Sequence, residues 1–316
     1  MQDRYAGDIG DFAKYGLLRA LSEGHQLGIC WYLFPNESHN TDGKHTAYLD
    51  NEREWRDLDP GLFDGLQSIV NSNRRKVQEI EKSGLLGEAF FSSVQLNFGG
   101  DPIARSIQRA NWFKGVLSDL SKCNIVFADP DNGLCEDHEF AMSSRKSWKR
   151  LPLSEAHRLS KNRTGVFYHH NTRRPGGHAK EIQYWLSMLG TNVIALRWRR
   201  ISNRTFFIVN PTKKIKQRTL EFVKKWSPNF ELHTPQRLLP SRTPYTAEVI
   251  SKKNNRKKIG KTCPECGHQF GGAGWTGIDS HWKTHHENIM SYNDAWPFIK
   301  LGKRPSEITN LRLRSR

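Results

Sequence analysis

Apolar residues recur at helical spacing from Phe12 to Leu21, and Gly24 ends the run, which predicts an α-helix. Leu27 to Phe34 (LGICWYLF) is apolar almost throughout and is bounded by Pro35 and Asn36, the mark of a strand. Between about 36 and 120 the pattern is helical, with breaks at the DGKH stretch, at Asp59-Pro60 and at Gly99-Gly100. Asn124 to Ala128 and Thr164 to Tyr168 are short continuous apolar runs, as expected of strands buried on both faces of a parallel sheet. His178 to Leu189 reads as an amphipathic helix stopped by Gly190. Asn192 to Trp198 and Thr205 to Val209 flank a turn at Ile201 to Arg204, which predicts a closing antiparallel hairpin. Strands alternating with helices over 1–230 predict an α/β domain, a mostly parallel sheet with helices on both faces. No internal repeat is evident.

The pattern changes after about residue 230. Turn signals give way to Lys252, Lys253, Arg256, Lys257, Lys258 and Lys261 without an intervening acid, so 231–262 reads as a basic linker suited to phosphate contacts. From 231 to the end there are 15 basic and 7 acidic residues, a net +8 out of +17 for all 316 residues. Residues 291–316, with Arg312, Arg314 and Arg316, read as a basic tail. An excess of this size points to a nucleic-acid partner.

Hydrophobic residues at 36% and charged residues at 26% exclude a disordered or collagenous chain. No apolar stretch approaches the roughly 18 residues of a membrane-spanning helix, and no membrane partner is expected. The opening MQDRYAGDIGDF has acids and no apolar core, so no secretory signal is expected. Five cysteines, an odd number with one CxxC, predict a reducing cytoplasm instead of a disulfide framework.

That CxxC, Cys263 and Cys266, is followed by His281 and His285. Two thiolates on a knuckle and two imidazoles one helical turn apart can meet a tetrahedral Zn²⁺, so 263–290 reads as a C2H2-type zinc finger with a structural ion. Phe270 fits the small core of such a module. His286 is an alternative fourth ligand and His268 an outside candidate. Trp275, Trp282 and Lys283 offer groups for nucleic-acid backbone or bases.

The N-terminal Tyr5-Ala6-Gly7-Asp8-Ile9-Gly10-Asp11-Phe12-Ala13-Lys14-Tyr15 resembles the opening of the large-subunit ribosomal-RNA adenine-N6 methyltransferases. Ala6, Gly7, Asp11 and Lys14 fall on matching positions, and Asp8 replaces an Asn. Asp129-Pro130 stands where that family has Asp-Pro-Pro-Tyr, and Phe207 to Pro211 resembles its final strand and Asn-Pro ending. The resemblance spans about 5–226 in outline and implies a Rossmann-like methyltransferase fold. Two departures point away from methyl transfer. Trp31 to Phe34 runs into Pro35 to Asn40 with no glycine before Gly43, where the family has a Gly-rich cofactor turn. Asp129-Pro130-Asp131-Asn132-Gly133 lacks the second Pro and the Tyr, and carries a second carboxylate and an amide.

Four polar clusters then follow helix or strand signals: Asp8, Asp11 and Lys14; His39, Asn40, Asp42, Lys44 and His45; Asp129, Asp131 and Asn132; and Tyr168, His169, His170, Asn171 and Arg173. Asp8 or Asp11 as helix caps, Asn132-Gly133 as a turn, and His169 or His170 as structural histidines are the bland alternatives. The expected activity is a base-flipping DNA glycosylase acting on a modified base, without an organic cofactor, in genome defence against phage. Glucosylated cytosine is a candidate base by analogy with known anti-phage glycosylases. Asp129 and Asp131 are expected to stabilise the cationic sugar and activate water, and Asn132 to hold water or substrate. Asp8 and Lys14 line the opposite side, with a Schiff base at Lys14 as a lesser option. Tyr168, His169, His170, Arg173, Asp11, Asn40 and Asp42 are the expected substrate contacts. Adenine-N6 methylation, metal-dependent phosphodiester hydrolysis and non-catalytic binding of DNA or RNA are the alternatives.

Overall fold

Helix caps set many of the boundaries. The Asp8 side chain accepts hydrogen bonds from the N–H groups of Gly10 and Asp11 and starts α1 (Ile9–Ser22). After β1 (Leu27–Cys30) come α2 (Glu52–Trp55), α3 (Pro60–Asn71), α4 (Val77–Lys82), β2 (Phe90–Ser92) and α5 (Pro102–Asp119). Asp59 and Asp101 cap α3 and α5, each followed by a proline in the first turn, where its missing N–H costs nothing. The chain continues through β3 (Ile125–Ala128), β4 (Leu134–Cys135), α6 (Arg145–Trp148), β5 (Leu151–Pro152) and α7 (Leu153–Leu159). Then follow β6 (Thr164–His170), α8 (Gly177–Leu189), β7 (Val193–Trp198), β8 (Arg204–Val209), α9 (Lys213–Lys225) and β9 (Phe230–His233). The computed structural model describes residues 1–37, 43–172, 174–201, 203–235, 261–270, 275 and 277–306. It divides into two compact units, Met1–Leu238 and Leu239–Arg316.

Seven strands of the first unit form one sheet in the order β2-β1-β3-β6-β8-β7-β9. β2, β1, β3 and β6 pair in parallel, while β8 runs against both neighbours and β9 runs against β7. The fold is therefore α/β with a mostly parallel sheet, and the predicted hairpin is β7–β8. Side chains alternate between the faces with the period of two that the pleat imposes. Ile125 and Phe127 enter one core with residues of α1, α3 and α9; Val126 and Ala128 enter a second with α5, α7 and α8.

Three boundaries differ from the sequence reading. β1 stops at Cys30, not Phe34, because Tyr32 takes a left-handed backbone conformation (φ 46°) that no strand can continue through. The region read as helical to 120 contains the edge strand β2, whose three residues are too few to establish a periodicity. β9 continues the sheet past residue 230, so the linker does not begin at 231.

In the second unit Thr262 and Gln269 form an antiparallel bridge, followed by α10 (Ile278–His285) and α11 (Tyr292–Lys300). Ala295 and Ile299 of α11 share a small core with Cys263, Phe270, Ile278 and Trp282. The Trp282 indole N–H donates to the Met290 carbonyl at 2.8 Å, and Arg304 reaches the Pro264 carbonyl at 3.1 Å. The stretch from 291 to 306 is thus part of the folded module and not a basic tail. Its apolar Ala295 and Ile299, one helical turn apart, outweigh the nearby basic residues. Among the described residues no helix is long and apolar enough to cross a membrane.

Candidate active-site cavity and metal-binding group

The start of α1, the loops after β1 and β3, the end of β6 and the start of β8 surround a cavity of about 490 Å³. This is the C-terminal edge of the parallel strands, where open α/β sheets present their sites. Asp8, Asp11, Lys14, His45, Asp129, Asp131, Asn132, Tyr168 and His170 all line it, so the sequence clusters converge. Asn40, Asp42 and His39, together with Arg173, lie outside the described residues, as do Lys252, Lys253, Arg256, Lys257 and Lys258. Lys261 is described, and its ammonium lies 5.8 Å from the centre of the Trp275 ring.

Lys14 organises the cavity floor. Its Nζ lies 2.8 Å from Asp11 Oδ1 and 2.5 Å from Asp129 Oδ2, with all three side chains buried. Burial alone would lower the Lys14 pKa, but the two carboxylates outweigh it and hold the ammonium above its ordinary range. A lysine paired with two carboxylates in this way is held as a cation, which speaks against a Schiff base at Lys14. Burial pushes the Asp11 carboxyl up, with Lys14 opposing and Asp8 reinforcing the shift. Asp11 Oδ2 also accepts the Gly7 N–H at 3.0 Å, so Asp11 anchors the start of α1 while Asp8 is the cap. The second oxygen of Asp129, Oδ1, takes no hydrogen bond from the described residues, and Asp129 lines the cavity.

Asp131 and Asn132 depart from their expected roles. Asp131 Oδ1 lies 2.5 Å from the Met1 α-ammonium, and Oδ2 accepts from Gln2 Nε2 at 2.7 Å. With both oxygens engaged, Asp131 is an anchor for the N-terminal segment and not a water-activating base. Asn132 donates from Nδ2 to the Lys146 carbonyl at 2.9 Å and from its backbone to the Lys149 carbonyl at 3.1 Å. Through these two bonds it fastens the turn after β3 to the 145–150 segment.

His169 is likewise structural. Its Nδ1 accepts the Leu134 N–H at 3.0 Å, which places the proton on Nε2, 3.1 Å from Glu181 Oε1. Burial lowers its pKa against the pull of Glu181. The reason it misses the cavity is the pleat: Tyr168 and His170 face one side of β6 and His169 the other. Burial raises the Tyr168 hydroxyl to about 12, with Arg204 opposing, so it remains a proton-bearing donor at neutral pH.

The sequence reading missed Arg204, Glu37, Tyr5, Lys146 and Lys149, all of which line the cavity. Arg204 was assigned to a turn, but it opens β8, and the reversed direction of that strand delivers its start to the cavity edge. Its guanidinium lies over Gly10, where a Cβ would come within 1.2 Å of Nη1. Gly10 in the first turn of a helix was the available signal. Lys149 Nζ pairs with Glu37 Oε2 at 2.6 Å across the cavity rim.

In the second unit the ligand atoms of Cys263, Cys266, His281 and His286 all lie within 4.8 Å of one another. His286, and not His285, completes the group. α10 ends at His285, and His286 leaves helical geometry (φ −138°, ψ 3°), so it turns back toward His281 while His285 stays exposed. His286 Nε2 is buried without a hydrogen-bond partner, and Cys266 Sγ approaches His281 Nε2 at 3.2 Å. Two thiols, two imidazoles and an orphaned buried nitrogen fit a metal ion, and the donor set is compatible with zinc. No protein-family model matches the chain, and no curated protein matches it.

Proposed function

We propose that the first unit is a nucleic-acid N-glycosidase, which hydrolyses the bond between sugar and base of an extruded, modified nucleotide. The carrying observation is Asp129: one carboxylate oxygen is fixed on the buried Lys14, the other takes no hydrogen bond from the described residues, and the residue lines the cavity. As the base departs, positive charge develops on the sugar, and a carboxylate held in place by a buried cation stabilises it without reorganising. The bond to the base breaks as water adds its hydroxyl at the sugar carbon, and the proton that water gives up restores the one Tyr168 passes to the base. Tyr168 bears a proton that can be donated to the departing base, and Arg204 offers a cation to its developing negative charge. The net charge of +17 suits a DNA substrate, and genome defence is the setting that a modified base would imply.

The mostly parallel sheet closed by the β7–β8 hairpin is compatible with the Rossmann-like fold that the resemblance implies. The end of β1 speaks for hydrolysis over methyl transfer. Tyr32 and Phe34 are buried there in the second core, filling the region where a donor turn would lie. Divalent-metal hydrolysis is disfavoured because the Lys14 ammonium occupies the position between Asp11 and Asp129 that a cation would take. In the second unit the proposed ion is a structural Zn²⁺ held by Cys263, Cys266, His281 and His286, in a finger that adds nucleic-acid contacts.

The test is release of base from modified duplex DNA, followed by high-resolution mass analysis. Asp129→Asn should retain DNA binding and cut the release rate by about 10²- to 10³-fold. Wild-type turnover in a normally folded Asp129→Asn protein, or methyl transfer from S-adenosylmethionine, would overturn the reading.

A further inference from the structure

We propose that residues 145–150 form a phosphate-gripping lip, which carries the backbone of a single nucleic-acid strand past the mouth of the cavity. The inference rests on the cavity being a base-accepting site and adds where the strand must run. The sequence of the lip, RKSWKR, places four cations in six positions with no acid between them. Two of the four are neutralised within the unit: Lys149 by Glu37 at 2.6 Å and Arg150 by Glu139 at 3.1 Å. The other two are not. Lys146 is exposed on the cavity rim, and its ammonium has no partner among the described residues. Arg145 is exposed, and its guanidinium lies 5.4 Å from the centre of the Phe34 ring and 5.8 Å from that of Trp148. Ring faces orient a guanidinium without neutralising it, which leaves its N–H groups for an external anion.

The lip is also held in register with the carboxylate loop. Asn132 bonds the carbonyls of Lys146 and Lys149, and the Leu151 N–H bonds the Gly133 carbonyl at 2.9 Å. The two uncompensated cations therefore stand at a fixed place relative to Asp129. A phosphodiester matches them, because an extruded nucleotide brings its flanking phosphates to the mouth that admits its base.

The experiment measures equilibrium binding of full-length protein to a labelled single-stranded oligonucleotide, offered as DNA and as RNA, over a range of salt. Arg145→Gln with Lys146→Gln should flatten the slope of log affinity against log salt by about 1.4, two single-strand contacts' worth. Arg145→Lys with Lys146→Arg should keep the wild-type slope. Lys122→Gln with Lys161→Gln removes two exposed cations that precede β3 and β6, at the opposite edge of the sheet, and should also keep it. The flattened slope in either the DNA or the RNA arm supports the lip, and the tighter arm names the strand. An unchanged slope in both arms, or an equal loss in the Lys122 and Lys161 control, overturns it. No turnover is involved, so failure of the Asp129→Asn test and failure of this one are separate outcomes.

Discussion

The two units assemble their clusters of ionisable groups in different ways. In the first, carboxylates and cations are matched from within the chain: Asp11 and Asp129 with Lys14, Asp131 with the Met1 ammonium, and Glu155 with Arg109 at 2.7 Å. In the second, two thiols and two imidazoles crowd together with their ligand atoms within 4.8 Å of one another. The first also has two large apolar cores, one on each face of its sheet, while among the described residues the second has six buried apolar ones. A unit with a large core can carry charge pairs that contribute little net stability, because burial of apolar surface supplies the rest. So small a described core holds less of that reserve, and an ion bound by the four ligand groups would add to it.

The sharpest way to break this contrast is to remove metal. A strong chelator should abolish hydrogen-exchange protection in α10 and α11 while β3 and β6 keep theirs, since structural zinc contributes on the order of 10 kcal/mol to such modules. His286→Ala should lose bound zinc by atomic absorption, and His285→Ala should retain it. Protection in α10 that survives chelation would show that the small core suffices alone.

A smaller effect is expected from opening the matched charges. Lys14→Met leaves Asp11 and Asp129 buried and facing each other without a cation, a loss of about 3–5 kcal/mol by urea denaturation. Removing the charge from both sides, Lys14→Met with Asp129→Asn, should recover part of that loss. If the single variant were as stable as the wild type, the pairing would not be what holds the cavity floor.

The smallest effect is a pH dependence. His169 has a lowered pKa in the folded unit, so its neutral form stabilises the fold above the ordinary histidine value and that contribution is lost as pH falls. Unfolding then takes up one more proton, worth at most about 1.4 kcal/mol per pH unit below about pH 6.5. Glu181, held down to about 2 by hydrogen bonds from His169 and Thr172 that outweigh its burial, adds a second loss in more acidic solution. His169→Gln should flatten the first slope by one proton when denaturation midpoints are compared between pH 7 and 5.

Much of this arrangement was legible in the sequence because it follows from local rules. The apolar runs at Asn124 to Ala128 and Thr164 to Tyr168 became β3 and β6, and polar residues beside such runs reach the cavity because strand ends converge there. Which neighbour points inward was not legible. His169 and His170 look alike in one dimension, and only the phase of β6 separates a cavity residue from a buried one. Asp131 was misread for a different reason: its partners, Met1 and Gln2, are about 130 positions away in sequence, and no local pattern connects them. Arg204 needed the direction of its strand, a property of the whole sheet.

That reversed strand separates two kinds of inheritance. The carboxylates and Lys14 sit on α1 and behind β3, whereas Arg204 arrives by way of the short β7–β8 connection. Changing the length of that connection would re-aim Arg204 and leave the charged floor untouched. The cationic side of the cavity can therefore vary at a hairpin while its carboxylate floor stays the same.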